Sequence, residues 1–290
     1  MEKIYILPFD HRNYFRKFLA GEAEEASPEG IKESKRIIYE GFRLAVASGV
    51  AVNDCAILVD EEYGTDVLKS AVKEGIRRII PVEKSGEDEF HFEYKEAFPE
   101  HIEKFQPDFV KALLRYNPEG DKEANSRSRG RLKDLAEFCS EEGHPFLLEL
   151  LVPPLDKEDT AFDGSPRASL TGVAVRELAR DGILPDIWKL EGFDEENDLA
   201  RVLENVREET PEAKVVILGR GENGEHVARW LSVGAKFREV VGFAVGRTIF
   251  ASPLKEWKEG RADAAAASAL IGKNFQKFVS VFESAKSPVS

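Results

Sequence analysis

The chain has 290 residues, 42% hydrophobic and 33% charged, with 41 basic against 54 acidic side chains and a formal charge of −13. A pI near 5.1 argues against nucleic acid or an anionic membrane as a partner, because both need a net basic face. Two cysteines, Cys55 and Cys139, without Cys/His ligand spacing, predict neither a disulfide framework nor a structural zinc. No apolar run approaches the roughly 20 residues that span a bilayer. The opening MEKIYILPFDHR lacks a secretory pattern, so a cytoplasmic chain is expected.

In chain order, IYILPFD (4–10) reads as a strand ending in charge, and residues 27–49 as a helix with Ser27 at the N-cap, Pro28 at its first position and Gly49 as its stop. CAILVD (55–60), a short helix over 63–74, and RRIIPVEK (77–84) follow, then a charged, aromatic-rich helical stretch to about 104. Strand 108–118 leads to a helix over 122–143, and PFLLELLVPP (145–154) is a fifth strand. A polar segment (155–166) without regular pattern precedes a helix over 167–181, and DIWKLEG (186–192) is the sixth strand. A helix over 195–210, the strand KVVILGRG (214–221), the helix EHVARWLSVGA, the strand EVVGFAVGRTIF (239–250) and two helical pieces complete the series. Eight strand-then-helix units with near-continuous apolar strands fit a parallel sheet covered by helices. That count closes an α/β (β/α)8 TIM barrel, expected to be a single domain over 1–290. The rival, an open doubly wound sheet, lacks its Gly-rich turn after the first strand.

Side chains alternate faces along a strand. Ile187, Lys189 and Glu191 therefore share one face, and Trp188 and Leu190 the other, beneath the helices. Charged residues recur in or at the ends of apolar strands: Asp10, Asp60, Glu83, Lys84, Lys111 and Glu149. A buried ion-pair network is costly to assemble, whereas barrel enzymes gather catalytic groups at the C-terminal ends of their strands. Lys111, Glu149 and Lys189, on neighbouring strands, are thus candidate catalytic residues. A lysine in an apolar cavity beside another cation is partly neutral and can attack a carbonyl to form a Schiff base. Glu149 suits the accompanying acid–base work, and Lys111 either tunes Lys189 or binds substrate oxygens.

ILGRGENG (217–224) and AVGRTIF (244–250) each carry Gly-Arg at a strand end before a helix. Glycines admit an anion to backbone N–H groups and a helix N-terminus adds favourable potential; the loops after strands 7 and 8 are the usual phosphate site of such barrels. Gly219, Gly221, Gly246 and Arg247 are therefore candidate phosphate ligands. Asp10, His11, Lys84, Glu191 and Arg220 are candidate substrate contacts around the mouth. The five histidines form no ligand set, so no metal and no cofactor is expected. The partner expected is a small phosphorylated molecule, with no nucleic acid and no membrane, and the homo-oligomeric state is left open.

VGFAVGRTIF, with LPFDHR in the first strand and KLEG in the sixth, resembles a barrel domain found fused behind 5-dehydro-2-deoxygluconokinase in inositol catabolism and related to class I tagatose 1,6-bisphosphate aldolases. The resemblance to the aldolases runs through VDEEYG (59–64), VEKSG (82–86), FVKALLRY (109–116), FLLELL (146–151) and KLEG (189–192). It implies a metal-independent Schiff-base aldolase acting on a phosphorylated keto-sugar or keto-sugar acid. The imine lysine of those enzymes falls on Lys189, their strand-4 lysine on Lys111, their strand-5 glutamate on Glu149, and the lysine of an EKTG-like segment on Lys84. The first substrate it implies is 2-deoxy-5-keto-gluconate 6-phosphate, cleaved to dihydroxyacetone phosphate and malonate semialdehyde; a tagatose or sulfo-sugar phosphate is the second. KLEG and LGRGENG depart from the aldolase pattern beside the substrate. A sugar-phosphate-binding barrel without catalysis, and an isomerase using the same groups without an imine, are the alternatives from other classes.

Overall fold

The computed structural model describes residues 2–20, 26–156, 158–159 and 161–286. Eight parallel strands pair in sequence order and the eighth pairs with the first, closing the barrel. The strands are β1 (Ile4–Pro8), β2 (Cys55–Leu58), β3 (Arg77–Pro81), β4 (Phe109–Arg115), β5 (Phe146–Leu151), β6 (Ile187–Glu191), β7 (Lys214–Leu218) and β8 (Val240–Ala244). Around them lie α1 (Arg12–Ala20), α2 (Pro28–Ala47), α3 (Glu61–Lys73), α4 (Phe98–Phe105), α5 (Lys122–Glu142), α6 (Ser165–Arg180), α7 (Glu196–Glu209), α8 (Gly224–Gly234), α9 (Arg247–Lys258) and α10 (Ala264–Ala285). Within the 155–166 segment, residues 157 and 160 lie outside the described ones. No helix among the described residues is long and apolar enough to cross a membrane.

Alternation sorts each strand into two layers. Trp188 and Leu190 join the large core between strands and helices, while Ile187 joins Ile4, Ile6, Leu58, Leu147 and Val216 inside the barrel. That inner apolar layer fills the lower barrel, so the inward positions one step further along the strands open on a charged layer above it. The strands approach closely where β8 meets β1: a Cβ on Gly242 would lie 1.8 Å from the Ile4 carbonyl oxygen, so only glycine fits this register.

Three elements differ from the expectation. Residues 12–20, outside the predicted elements, form α1: Tyr14, Phe15, Phe18 and Leu19 recur at helical spacing, and Arg12 and Phe15 are buried. The stretch from 85 to 104 is mostly loop, with helix confined to Lys95–Ala97 and Phe98–Phe105; a bridge between Glu83 and Phe92 folds it back on itself. The apolar run RTIF belongs to α9 and not to β8. Gly246 turns the chain there, and Ile249 and Phe250 are buried by helix packing.

One buried charge outside the site organises this end of the barrel. Lys35 on α2 is fully buried; its ammonium lies 2.5 Å from Asp60 Oδ2 and donates to the Phe9 carbonyl oxygen at 2.5 Å. Asp60 meanwhile caps α3, accepting from the Tyr63 N–H at 2.9 Å. The pair ties β1, β2, α2 and α3 together. Removing one partner leaves an uncompensated buried charge, a loss of about 3–5 kcal/mol. Lys35→Met is expected to destabilise the protein by that amount in urea denaturation, and a loss under about 1 kcal/mol would show that the pair behaves like a solvated one.

Candidate active site

β4, β5 and β6 deliver three charged side chains to one place. Glu149 and Lys189 are direct partners across β5 and β6, and Lys111 enters from β4 two positions before the residue that faces Glu149. The carboxylate oxygen Glu149 Oε2 lies 2.8 Å from Lys189 Nζ and 3.0 Å from Lys111 Nζ. Lys189 is 3% exposed, Lys111 1% and Glu149 8%. The two cations are therefore not side by side, as the strand pattern implied; they share one anion. Lys111 is held further by Asp10 Oδ2 at 3.1 Å and by Glu83. Its ammonium thus occupies the centre of three carboxylates.

The charges follow from this packing. Burial penalises the Lys111 ammonium, but Asp10, Glu149 and Glu83 outweigh it and hold its pKa well above the ordinary lysine value. Burial raises Glu149, yet Lys111 and Lys189 bring it down to about 2. Asp10 is likewise held well below the usual carboxylate range, burial being overcome by Lys111 and His11. Glu83 moves the other way: burial dominates, and the neighbouring Asp10 and Glu149 charges add to it. In this cluster Glu83 is thus the carboxylate that most readily holds a proton. His11 is pushed down to about 4 by burial despite Asp10, with Nδ1 3.6 Å from Asp10 Oδ1.

A second cluster lies beside Lys189. Glu191 Oε2 accepts from the Val152 N–H at 3.1 Å and Glu191 Oε1 lies 3.3 Å from Arg220 Nε. Arg167, 1% exposed, stands over the Phe193 ring at 4.1 Å and donates to the Gly192 carbonyl at 2.7 Å. Asp163 joins the two arginines, 3.1 Å from Arg167 Nε and 2.7 Å from Arg220 Nη1. Glu191 therefore orients Arg220 and the loop after β5.

Gly219, Gly221, Gly246, Arg220 and Arg247 line a cavity of about 280 Å³ with Lys189 and Glu149. Gly221 has φ +83°, and a Cβ there would lie 2.9 Å from the Arg247 guanidinium. The Asn223 side chain caps α8, but no side chain caps α9 at Gly246; its Ile249 N–H donates to the Gly246 carbonyl at 2.8 Å. Arg247 donates to the Arg220 carbonyl at 2.6 Å, leaving its charge without a carboxylate within 4.0 Å among the described residues. The structure thus brings all four candidate phosphate ligands into the lining of one cavity with Lys189.

A smaller cavity of about 190 Å³ adjoins it; His11, Arg115 and Glu149 line both. Asp10, Glu83, Lys84 and Lys111 face this second space. Asp10 belongs to the buried cluster and not to the rim. Lys84 is at the rim, half exposed and paired with Glu87. Arg12 fixes the wall, pairing with Glu61 and Glu93 at 3.1 Å each, and Asn13 donates to the Ser85 carbonyl at 2.9 Å.

Sequence reasoning missed Glu83, Arg115, Asp163 and Arg167 as site residues. Strand parity could have found two of them, since Arg115 shares the face of Lys111 and Glu83 that of Ile79. Asp163 and Arg167 come from a loop and a helix start, where no periodicity announces them.

His11 carries a pH signature. Between its ordinary value of 6.5 and about 4, the unfolded chain binds a proton that the folded protein refuses. Stability is therefore complete above pH 6.5 and falls as the pH drops through that window. With partial exposure discounting the shift, His11→Phe is expected to lose about 1–2 kcal/mol less than the unaltered protein between pH 7 and 4.5. Urea midpoints at both pH values check this; equal losses would mean that His11 is solvated.

With 25% identity over 211 residues, covering 66% of this chain and 60% of the relative, the sequence is similar to tagatose 1,6-diphosphate aldolase 2 of Streptococcus pyogenes serotype M6. Tagatose 1,6-diphosphate aldolase 1 of Streptococcus mutans is 27% identical over 155 residues, 51% of this chain and 45% of the relative. The chain thus spans about half to three-fifths of the length of the curated relatives it matches. Among solved structures, fructose-bisphosphate aldolase from Plasmodium falciparum, in complex with TRAP and a small molecule inhibitor, superposes with a TM-score of 0.71 at 14% identity, over 98% of this chain and 91% of that one. Fructose-bisphosphate aldolase from Slackia heliotrinireducens gives a TM-score of 0.57 at 13% identity, over 94% and 86%. At those identities the likeness establishes the barrel and no more. Over residues 1–286 the sequence matches the model of the family described as "Uncharacterized protein conserved in bacteria (DUF2090)", and the chain belongs to that family.

Proposed function

We propose that the protein is a class I aldolase that cleaves a phosphorylated keto-sugar or keto-sugar acid through an imine on Lys189. The observation that carries this is the buried Lys189 amine, lining one cavity together with Arg220, Arg247 and the glycines after β7 and β8, with the Glu149 carboxylate 2.8 Å away. A ketose phosphate fixed by Arg247, Arg220 and the backbone at Gly219, Gly221 and Gly246 presents its carbonyl to this amine. The sequence similarity to the two tagatose 1,6-diphosphate aldolases supports the same reading.

The chemistry assigned to each group follows from its surroundings. The lysine nitrogen adds to the carbonyl carbon, and the proton it releases has an ionised acceptor in Glu149. Loss of water gives the iminium. A base then removes the proton of the hydroxyl carried by the far carbon of the bond to be broken. That hydroxyl carbon becomes an aldehyde, and the electron pair of the broken carbon–carbon bond moves to the iminium nitrogen as an enamine. Protonation of the enamine carbon and addition of water release the ketone phosphate and restore the amine. Glu149 is the proton carrier, and Lys111 the fixed cation that keeps it oriented and ionised. The substrate to try first is 2-deoxy-5-keto-gluconate 6-phosphate, then a tagatose or sulfo-sugar phosphate.

Borohydride reduction in the presence of dihydroxyacetone phosphate is expected to leave a stable adduct on the tryptic peptide containing Lys189, read by mass spectrometry. Binding of dihydroxyacetone phosphate without an adduct would end the imine reading and leave a sugar-phosphate-binding barrel. Lys189→Ala is expected to abolish cleavage, and Glu149→Gln to lower kcat by roughly 100- to 10,000-fold. Cleavage retained by Lys189→Ala excludes the assignment.

A further inference from the structure

The two cavities that meet at Glu149 have opposite electrostatic character. In the larger, among the described residues, five basic side chains face three carboxylates. The guanidinium of Arg247 has no carboxylate of its own, and Arg167 Nη1 is buried without a hydrogen-bond partner. The smaller cavity reverses the balance, with six carboxylates against four basic groups among its described lining residues.

Each of those four is already engaged. Arg12 is held by Glu61 and Glu93, Lys84 by Glu87, and Lys111 by Asp10, Glu83 and Glu149. Arg115 donates to the Glu87 carbonyl at 3.0 Å and lies 4.0 Å from Asp88. Among its lining atoms without a hydrogen-bond partner, Asp10 Oδ1, on a residue 8% exposed, and Glu83 Oε2 are acceptors, His11 Nδ1 lies 3.6 Å from Asp10 Oδ1, and the one guanidinium nitrogen, Arg12 Nε, is ion-paired with Asp60 and Glu62 at 3.8 and 3.7 Å. A phosphate dianion here would meet carboxylates and no unengaged cation. Substrate hydroxyls, which donate, would satisfy both oxygens.

We propose that the smaller cavity takes the aldehyde-forming half of the substrate and that this half bears no phosphate dianion, so the protein selects ketose monophosphates against bisphosphates. The proposal rests on the reading of the larger cavity as the ketone-phosphate end. Specificity then comes from repulsion as much as from attraction: Glu87 and Asp88, on the loop after β3, line the cavity that would receive a second phosphate, while Glu89 beside them is held by Arg127 and Arg131.

Binding to Lys189→Met separates this from the chemistry, because intact sugars stay bound without cleavage. Calorimetric titration with tagatose 1-phosphate and with tagatose 1,6-bisphosphate is expected to show the monophosphate binding at least as tightly. A bisphosphate that binds more than twofold tighter overturns the proposal. In the unaltered protein, the concentrations of the two sugars that halve borohydride labelling by dihydroxyacetone phosphate should give the same ratio. The double variant Glu87→Lys/Asp88→Lys is expected to move that ratio about tenfold toward the bisphosphate; an unmoved ratio also overturns it. Labelling of Lys189 together with preference for the bisphosphate would sink this inference and leave the aldolase reading intact. Preference for the monophosphate without labelling would do the reverse.

Discussion

One carboxylate oxygen holds the centre of this barrel. Glu149 Oε2 is shared by the ammonium groups of Lys111 and Lys189, all three side chains being more than nine-tenths buried. Neither lysine could be taken out of water alone, and two lysines without the glutamate would repel each other. With Asp10 and Glu83 closing around Lys111, the group carries more negative than positive side chains. The imbalance is relieved by the raised proton affinity of Glu83. A static network of this kind is poor value for stability, since apolar residues of like volume fill a barrel interior at least as well. Its retention above an otherwise apolar interior is the physical argument that the charges do chemistry.

The barrel geometry explains how so dense a charge set is assembled from so little sequence. Parallel pairing places Glu149 opposite Lys189, and the slant of the strands brings Lys111 to the same height. Each charge needs only to be one inward position among apolar ones. Below them Ile4, Ile6, Leu58, Leu147, Ile187 and Val216 exclude water, strengthening every electrostatic interaction above. Around the mouth, Arg12, Lys35 and Asp60 anchor the first strands and their loops.

The parts of this that strand parity governs were legible in the sequence. Lys189, with Trp188 and Leu190 on its other face, reads as pointing inward, and the count of eight units favours a closed barrel over the open doubly wound sheet. Parity also governed Arg115 and Glu83, where the reading stopped short. What was not legible is set by distance in sequence. The pairing of Asp163 with both Arg167 and Arg220 joins a loop, a helix start and a strand end, and it exists only once the barrel has closed. Nor could composition tell that the Glu149 anion would stand between the two lysines: single strands give facing, and relative height comes from register alone. The helix in RTIF was misread for a related reason, since an apolar run of that length has the same appearance in either state and Gly246 decides between them.

The division of the mouth into a basic and an acidic cavity gives the central cluster a further property. Glu149, with His11 and Arg115, belongs to both walls, so the group assigned to move protons sits at the boundary where the substrate would be cut. A ketose lying across it has its phosphate attracted on one side and its hydroxyl-bearing half received by acceptors on the other. On the proposed reading, the field that draws the anionic end toward Arg247 would repel it from Glu87 and Asp88, orienting the sugar before Lys189 reacts. In that arrangement positioning and catalysis are not separate contributions. Lys111 both neutralises the carboxylates that would otherwise expel an anionic substrate and holds Glu149 ionised beside the amine. Loss of its charge would be felt in binding and in turnover together.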